Sequence, residues 1–63
     1  MLTFTLPDMT CGHCTGAITR ALKALDPDCI LEFDLPAHRL QVQSSAGRDE
    51  LVEALAEAGY PPA

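Results

Sequence analysis

Cys11 and Cys14 are two thiols three positions apart, separated only by Gly12 and His13. An apolar run from Leu2 to Leu6 leads into the pair, and a helix-patterned run from Cys14 to Leu25 leads out of it. The pair therefore belongs to a strand-to-helix loop, with Cys14 at or near the first helical turn. Unpaired backbone N–H groups and the positive end of the helix dipole favour thiolate there. Thiolate is the form that binds metal and attacks disulfides. Soft thiolates select Cu(I), zinc or iron–sulfur clusters among the biological metals. Two thiolates alone suit a low-coordinate soft ion, because structural zinc generally takes four ligands.

The elements that must hold this loop follow from hydrophobic period. Leu2, Phe4 and Leu6 alternate with Thr3 and Thr5, the period-2 pattern of a half-buried strand that Pro7 ends. Ala17, Ile18, Ala21, Leu22 and Leu25 recur at helical spacing, with Thr15, Arg20 and Lys23 on the solvated face. Asp26-Pro27-Asp28 stops this helix, since proline disfavours helix in the residue before it. Cys29, Leu31, Phe33 and Leu35 alternate with Ile30, Glu32 and Asp34, giving a second strand with its core face on the odd numbers. Pro36-Ala37-His38 is a turn, in which His38 reads as a polar turn residue. Leu40 and Val42 alternate with Arg39, Gln41 and Gln43 and complete a hairpin. Arg48 to Ala58 reads as a second helix, with Leu51, Val52 and Leu55 inward and Glu50, Glu53 and Glu57 outward. Gly59 is the expected C-terminal cap.

The order β-α-β-β-α, with Tyr60-Pro61-Pro62-Ala63 left over, predicts an α+β, ferredoxin-like βαββαβ sandwich: two helices on a small antiparallel sheet. Two prolines in the last four residues make the final strand short, at an edge, or absent. Cys29 comes just after a first helix of about 18 Å, so it is expected at the opposite end from the metal loop, facing the core.

Sixty-three residues make one domain, residues 1–63. A chain this small buries only about 60% of its unfolded surface, so modest stability is expected without a bound metal or partner. No apolar run approaches the roughly 20 residues that span a bilayer, and neither a basic leader nor a cleavage site precedes the first strand. A cytoplasmic location is the expectation, without membrane insertion. Three cysteines are an odd count, against a complete disulfide framework. The formal net charge of −5, from nine acidic and four basic residues, makes nucleic acid and anionic membranes poor partners and favours a partner with a basic docking face.

Met9-Thr10-Cys11-Gly12-His13-Cys14 resembles the MTCxxC signature of heavy-metal-associated domains, which include small cytosolic copper chaperones and the metal-binding domains of copper-transporting ATPases. Gly59-Tyr60 resembles the Gly-Tyr of the bacterial chaperones, and length and element order fit along nearly the whole chain. The resemblance implies a copper chaperone rather than an enzyme. Cys11 and Cys14 would bind Cu(I) and pass it to a CxxC on a copper-transporting P-type ATPase or its metal-binding domain. Zinc-exporting relatives carry Asp before the first cysteine where this chain has Thr10, which favours copper. Around the ligands, the resemblance implies that Met9 is a core residue beneath the loop and that Tyr60 lies near the metal. His13 is either a solvated loop residue, a group tuning the thiolates, or a ligand when two copies form a copper-bridged homodimer. Asp8 replaces the family's usual glycine. Starting at Met1 favours a free chaperone over an excised ATPase domain. The alternatives are a thiol-disulfide oxidoreductase, whose thioredoxin-type fold needs a longer chain, and a zinc- or mercury-handling member of the same family.

Overall fold

The computed structural model describes residues 2–9 and 12–63. Strand β1 spans Leu2–Thr5, helix α1 Gly12–Leu25, β2 Ile30–Asp34, β3 Arg39–Gln43 and helix α2 Arg48–Glu57. The strands form one sheet in the order β1-β3-β2. Both pairings are antiparallel, β1 to β3 from Leu2↔Val42 to Thr5↔Arg39, and β2 to β3 from Ile30↔Gln43 to Asp34↔Arg39. This is the expected two-helix, three-strand part of the ferredoxin-like arrangement.

Period decides which side chains meet. Phe4 and Leu6 from the first strand's run, Leu40 and Val42 from β3, Ile18 and Leu22 from α1, and Leu51 and Leu55 from α2 are all fully or almost fully buried in one cluster. Each such side chain taken from water contributes about 1.5–3 kcal/mol. Thr3, Thr5, Glu32, Asp34, Arg39, Gln41 and Gln43, the alternate residues, are exposed. Arg48 opens α2 with its guanidinium 4.9 Å from the centre of the Phe4 ring, a cation–π contact over the core edge.

Three expectations are corrected. β2 begins at Ile30, so Cys29 lies in the preceding loop, although its side chain is fully buried. Its amide is taken by the Asp26 carbonyl at 3.1 Å, a turn bond that precludes a ladder partner. Leu25, expected inward, is 40% exposed. It ends α1 beside Glu50, Glu53, Ala54 and Glu57, where α2 presents carboxylates instead of an apolar wall. His38 is more than a polar turn residue: its φ is +55°, and its imidazole Nδ1 is buried without a hydrogen-bond partner.

The end of the molecule beyond α1 is tied by side chains. Lys23 Nζ donates to the carbonyls of Cys29 (2.6 Å) and Pro27 (3.4 Å), a cation placed where the helix dipole favours one. Asp26 accepts from Ser44 Oγ at 2.5 Å, from the amides of Ser45 and Asp28 at 3.1 Å each, and from Ser45 Oγ at 3.3 Å. The Ser44 hydroxyl first, then the two amides, hold the Asp26 carboxyl below its ordinary range.

Of the three expectations for the final strand, short, at an edge or absent, the last holds among the described residues. The tail returns to β1 through a backbone bond from the Ala63 N–H to the Thr5 carbonyl at 2.8 Å. Pro61 and Pro62 carry no N–H and could not extend that pairing.

Candidate metal centre

The loop between β1 and α1 is built on backbone bonds. The Leu6 N–H donates to the His38 carbonyl at 2.7 Å, continuing the β1–β3 alignment one pair beyond the strands. The Leu6 carbonyl then accepts from the Met9 N–H at 3.0 Å, reversing the chain over Pro7 and Asp8. This turn drives the Met9 side chain inward, where it is 0% exposed within the main core cluster. A buried thioether packed among leucines is the core residue the family resemblance implies.

Cys14 is the third residue of α1 and is 5% exposed. Its Sγ lies 3.9 Å from the Asp8 carbonyl, a long S–H···O contact across the loop. α1 carries no acidic residue in its first turn, so no helix carboxylate offsets the positive end of the dipole beside this thiol. The Thr15 hydroxyl donates to the Gly12 carbonyl at 2.7 Å within that turn. His13, one residue before Cys14, is exposed. Thr10 and Cys11 lie outside the described residues.

Tyr60 arrives from the other helix. At the end of α2 the Gly59 N–H donates to the Ala56 carbonyl at 3.1 Å and the Tyr60 N–H to the Leu55 carbonyl at 2.9 Å. With Gly59 at φ +95° this is a Schellman ending, in which a positive-φ residue turns the chain across the helix axis. Tyr60 is thereby folded back, half-buried against the cluster that contains Met9, Cys14 and Leu55.

Thus Met9, Cys14 and Tyr60 belong to or pack against one cluster, while His13 faces solvent. Cys29, also buried, follows the far end of α1, a helix of 14 residues and about 21 Å, so it is remote from Cys14. Among the described residues no group of three or more His, Cys, Asp and Glu side chains could hold a metal ion. No described helix is long and apolar enough to cross a membrane. Two backbone carbonyls escaped sequence reasoning: that of Asp8, which faces Cys14, and that of His38, which holds Leu6. Neither has a side-chain signature, although histidine is among the residues that enter positive φ more readily.

The same architecture occurs in known proteins. The chain superimposes on the copper chaperone Atx1 from Synechocystis PCC6803, in its Cu1 trimeric form, with a TM-score of 0.97 at 28% identity over 100% of both chains. A gold binding protein matches with a TM-score of 0.93 at 29% identity, covering 98% of this chain and 95% of that one. Atu1203 of Agrobacterium tumefaciens matches with a TM-score of 0.87 at 32% identity, over 98% and 97% of the two chains. Comparison with curated proteins gives no match. The family model for the heavy-metal-associated domain matches residues 3–61, and with the strand–loop–helix geometry around Cys14 it follows that the chain belongs to the heavy-metal-associated domain family.

Proposed function

We propose that this chain is a copper chaperone, binding Cu(I) as cargo through Cys11 and Cys14 and handing it to a second CxxC. The observation that carries this reading is the placement of Cys14. Its thiol is 5% exposed in the first turn of α1, at a helix end without a first-turn carboxylate, in a chain of the heavy-metal-associated family. Cys11, three residues earlier in the sequence, supplies the companion thiolate. Cu(I) has a filled d shell and accepts two or three soft ligands, so a dithiolate leaves room for one more. A partner thiolate enters that position, forms a three-sulfur intermediate, and the ion moves as the original sulfurs leave. Nothing in this sequence needs a catalytic base or nucleophile, and the protein acts as a carrier rather than an enzyme.

The acceptor is a dithiol on a copper-transporting ATPase or its metal-binding domain, met in the cytoplasm. Charge supports its character: the chain is at −5, and α2 alone presents Asp49, Glu50, Glu53 and Glu57, so a basic docking face is favoured. Around the ion, Tyr60 covers one side of the dithiolate and His13 remains at the solvent side. There it can join the coordination when a second copy bridges through copper. The similarity to a gold binding protein fits a site tuned to soft d¹⁰ ions.

The test is an anaerobic titration with Cu(I) against a competing chelator, repeated with Zn(II). One tightly held Cu(I) per chain, lost in Cys11→Ser and in Cys14→Ser, is the expected result. Tighter binding of Zn(II) than of Cu(I), or tight Cu(I) binding that survives in the double serine variant, refutes the assignment.

A further inference from the structure

We infer that the β2–β3 turn positions the metal-binding loop, and that it does so through the backbone of His38. His38 is the one non-glycine residue at positive φ among those described, at +55°. Its own N–H closes the turn on the Leu35 carbonyl at 3.1 Å, and its carbonyl receives the Leu6 N–H at 2.7 Å. The path then runs into the loop. The Leu6 carbonyl holds Met9, whose side chain is fully buried, and the carbonyl of Asp8, in the peptide group that the Met9 N–H belongs to, receives the Cys14 thiol at 3.9 Å. Apart from the sulfur, every link is a main-chain group. A change in the His38 dihedrals therefore displaces Leu6, and through it the turn on which Cys14 rests.

The imidazole is not the active part. Its Nδ1 is buried without a hydrogen-bond partner, so it contributes no bond that a smaller residue would forfeit. What position 38 requires is a backbone that tolerates positive φ. Glycine supplies this freely, histidine with modest cost, and a β-branched residue poorly. His38 is thus a positioning residue. Only its consequence for copper rests on the proposed function.

The experiment uses metal-free, reduced, ¹⁵N-labelled protein in three forms: the parent, His38→Gly and His38→Val. Amide hydrogen exchange is read by NMR, and Cu(I) affinity by chelator competition. In His38→Val the opening of the Leu6 amide should rise about five- to thirtyfold, the factor that a left-handed backbone imposes on an ordinary side chain. Met9 should rise with it, while the far-end amides of Asp26 and Cys29 stay within about twofold of the parent. Cu(I) affinity should fall by more than about threefold in this variant while it remains folded, and His38→Gly should match the parent in both readouts.

Unchanged Leu6 and Met9 exchange in His38→Val overturns the inference. So does an equal rise at Asp26 and Cys29, which would mark global destabilisation. So does His38→Gly behaving like His38→Val, which would assign the role to the side chain. Opening at Leu6 with undiminished Cu(I) affinity leaves a turn that touches the loop without positioning the site, and also overturns it. A parent that binds no Cu(I) at all removes the proposed function instead, and the exchange data still decide whether His38 holds Leu6 and Met9.

Discussion

Gly59→Ala isolates the helix ending that delivers Tyr60. At φ +95° an L side chain is strained, and a Cβ built there meets nothing within 4 Å, so the whole effect is conformational. The left-handed backbone costs an alanine up to about 2 kcal/mol. Alanine also restricts the unfolded chain, which returns roughly 0.4–1 kcal/mol. The balance is a loss of about 1–1.5 kcal/mol. Unfolding entropy of about 2.1 cal/mol/K per residue gives roughly 0.13 kcal/mol/K for a chain of 63, so Tm should fall by about 8–11 °C. Thermal unfolding of the reduced, metal-free protein followed by circular dichroism measures this directly. Gly47→Ser is the matching control. Gly47 caps α2 with φ −71° and no side-chain hydrogen bond, and a Cβ there also meets open space. A serine hydroxyl can take one of the unpaired first-turn amides, so Tm should rise. A Gly59→Ala variant within about 3 °C of the parent would refute the strain argument. If stability falls as expected, copper should also leave Gly59→Ala faster than the parent, because the Tyr60 N–H can no longer reach Leu55 without strain.

Three further outcomes are expected. Cys29→Ser should keep Cu(I) affinity, since the residue lies beyond the far end of α1. It should nonetheless lose about 1–3 kcal/mol in urea denaturation, because a hydroxyl replaces a thiol in a fully buried site. Asp26, with its folded pKa depressed, contributes stability that is complete above about pH 4 and is lost as pH falls through the folded value. In Asp26→Asn, urea midpoints should show less dependence on pH below 4 than in the parent, and identical pH profiles would remove the serine clamp as its cause. Copper transfer should accelerate with acceptor concentration and slow as salt is raised, since exposed charges are screened over about 10 Å at 0.1 M. Stopped-flow transfer that ignores acceptor concentration would mean that copper is released before it is captured.

The core was legible because it is written in two periods. Phe4 and Leu6, Leu40 and Val42, Ile18 and Leu22, and Leu51 and Leu55 announce their faces by spacing alone, and all are buried. The family was legible because Met9-Thr10-Cys11-Gly12-His13-Cys14 carries its signature. What escaped depends on neighbours distant in sequence. Leu25 continues the apolar stripe of α1, yet its exposure is decided by the carboxylates that α2 places opposite it. Cys29 continues the alternation of β2, yet a turn bond to Asp26 takes its amide before the ladder begins. The Asp26 clamp joins residues 18 and 19 positions apart, through side chains that each read as ordinary loop residues. The His38 turn acts through a carbonyl, a group that every residue carries.

The C-terminal tail has a consequence for behaviour at high concentration. β1 lies at the edge of the sheet, and the Thr5 carbonyl is directed outward to the Ala63 amide. Thr3, two residues earlier, shares that direction. Its exposed side chains are two uncharged, β-branched threonines, without the lysine or bulge that commonly discourages strand addition. Cover at this edge comes from Ala63 on the Thr5 carbonyl, and the Pro61 and Pro62 that precede it carry no N–H to donate to a growing ladder. A chain shortened after Tyr60 would keep its acidic surface and leave the Thr5 carbonyl as well as that of Thr3 open to cross-chain pairing. Its colloidal behaviour would then depend on this strand edge as well as on the net charge.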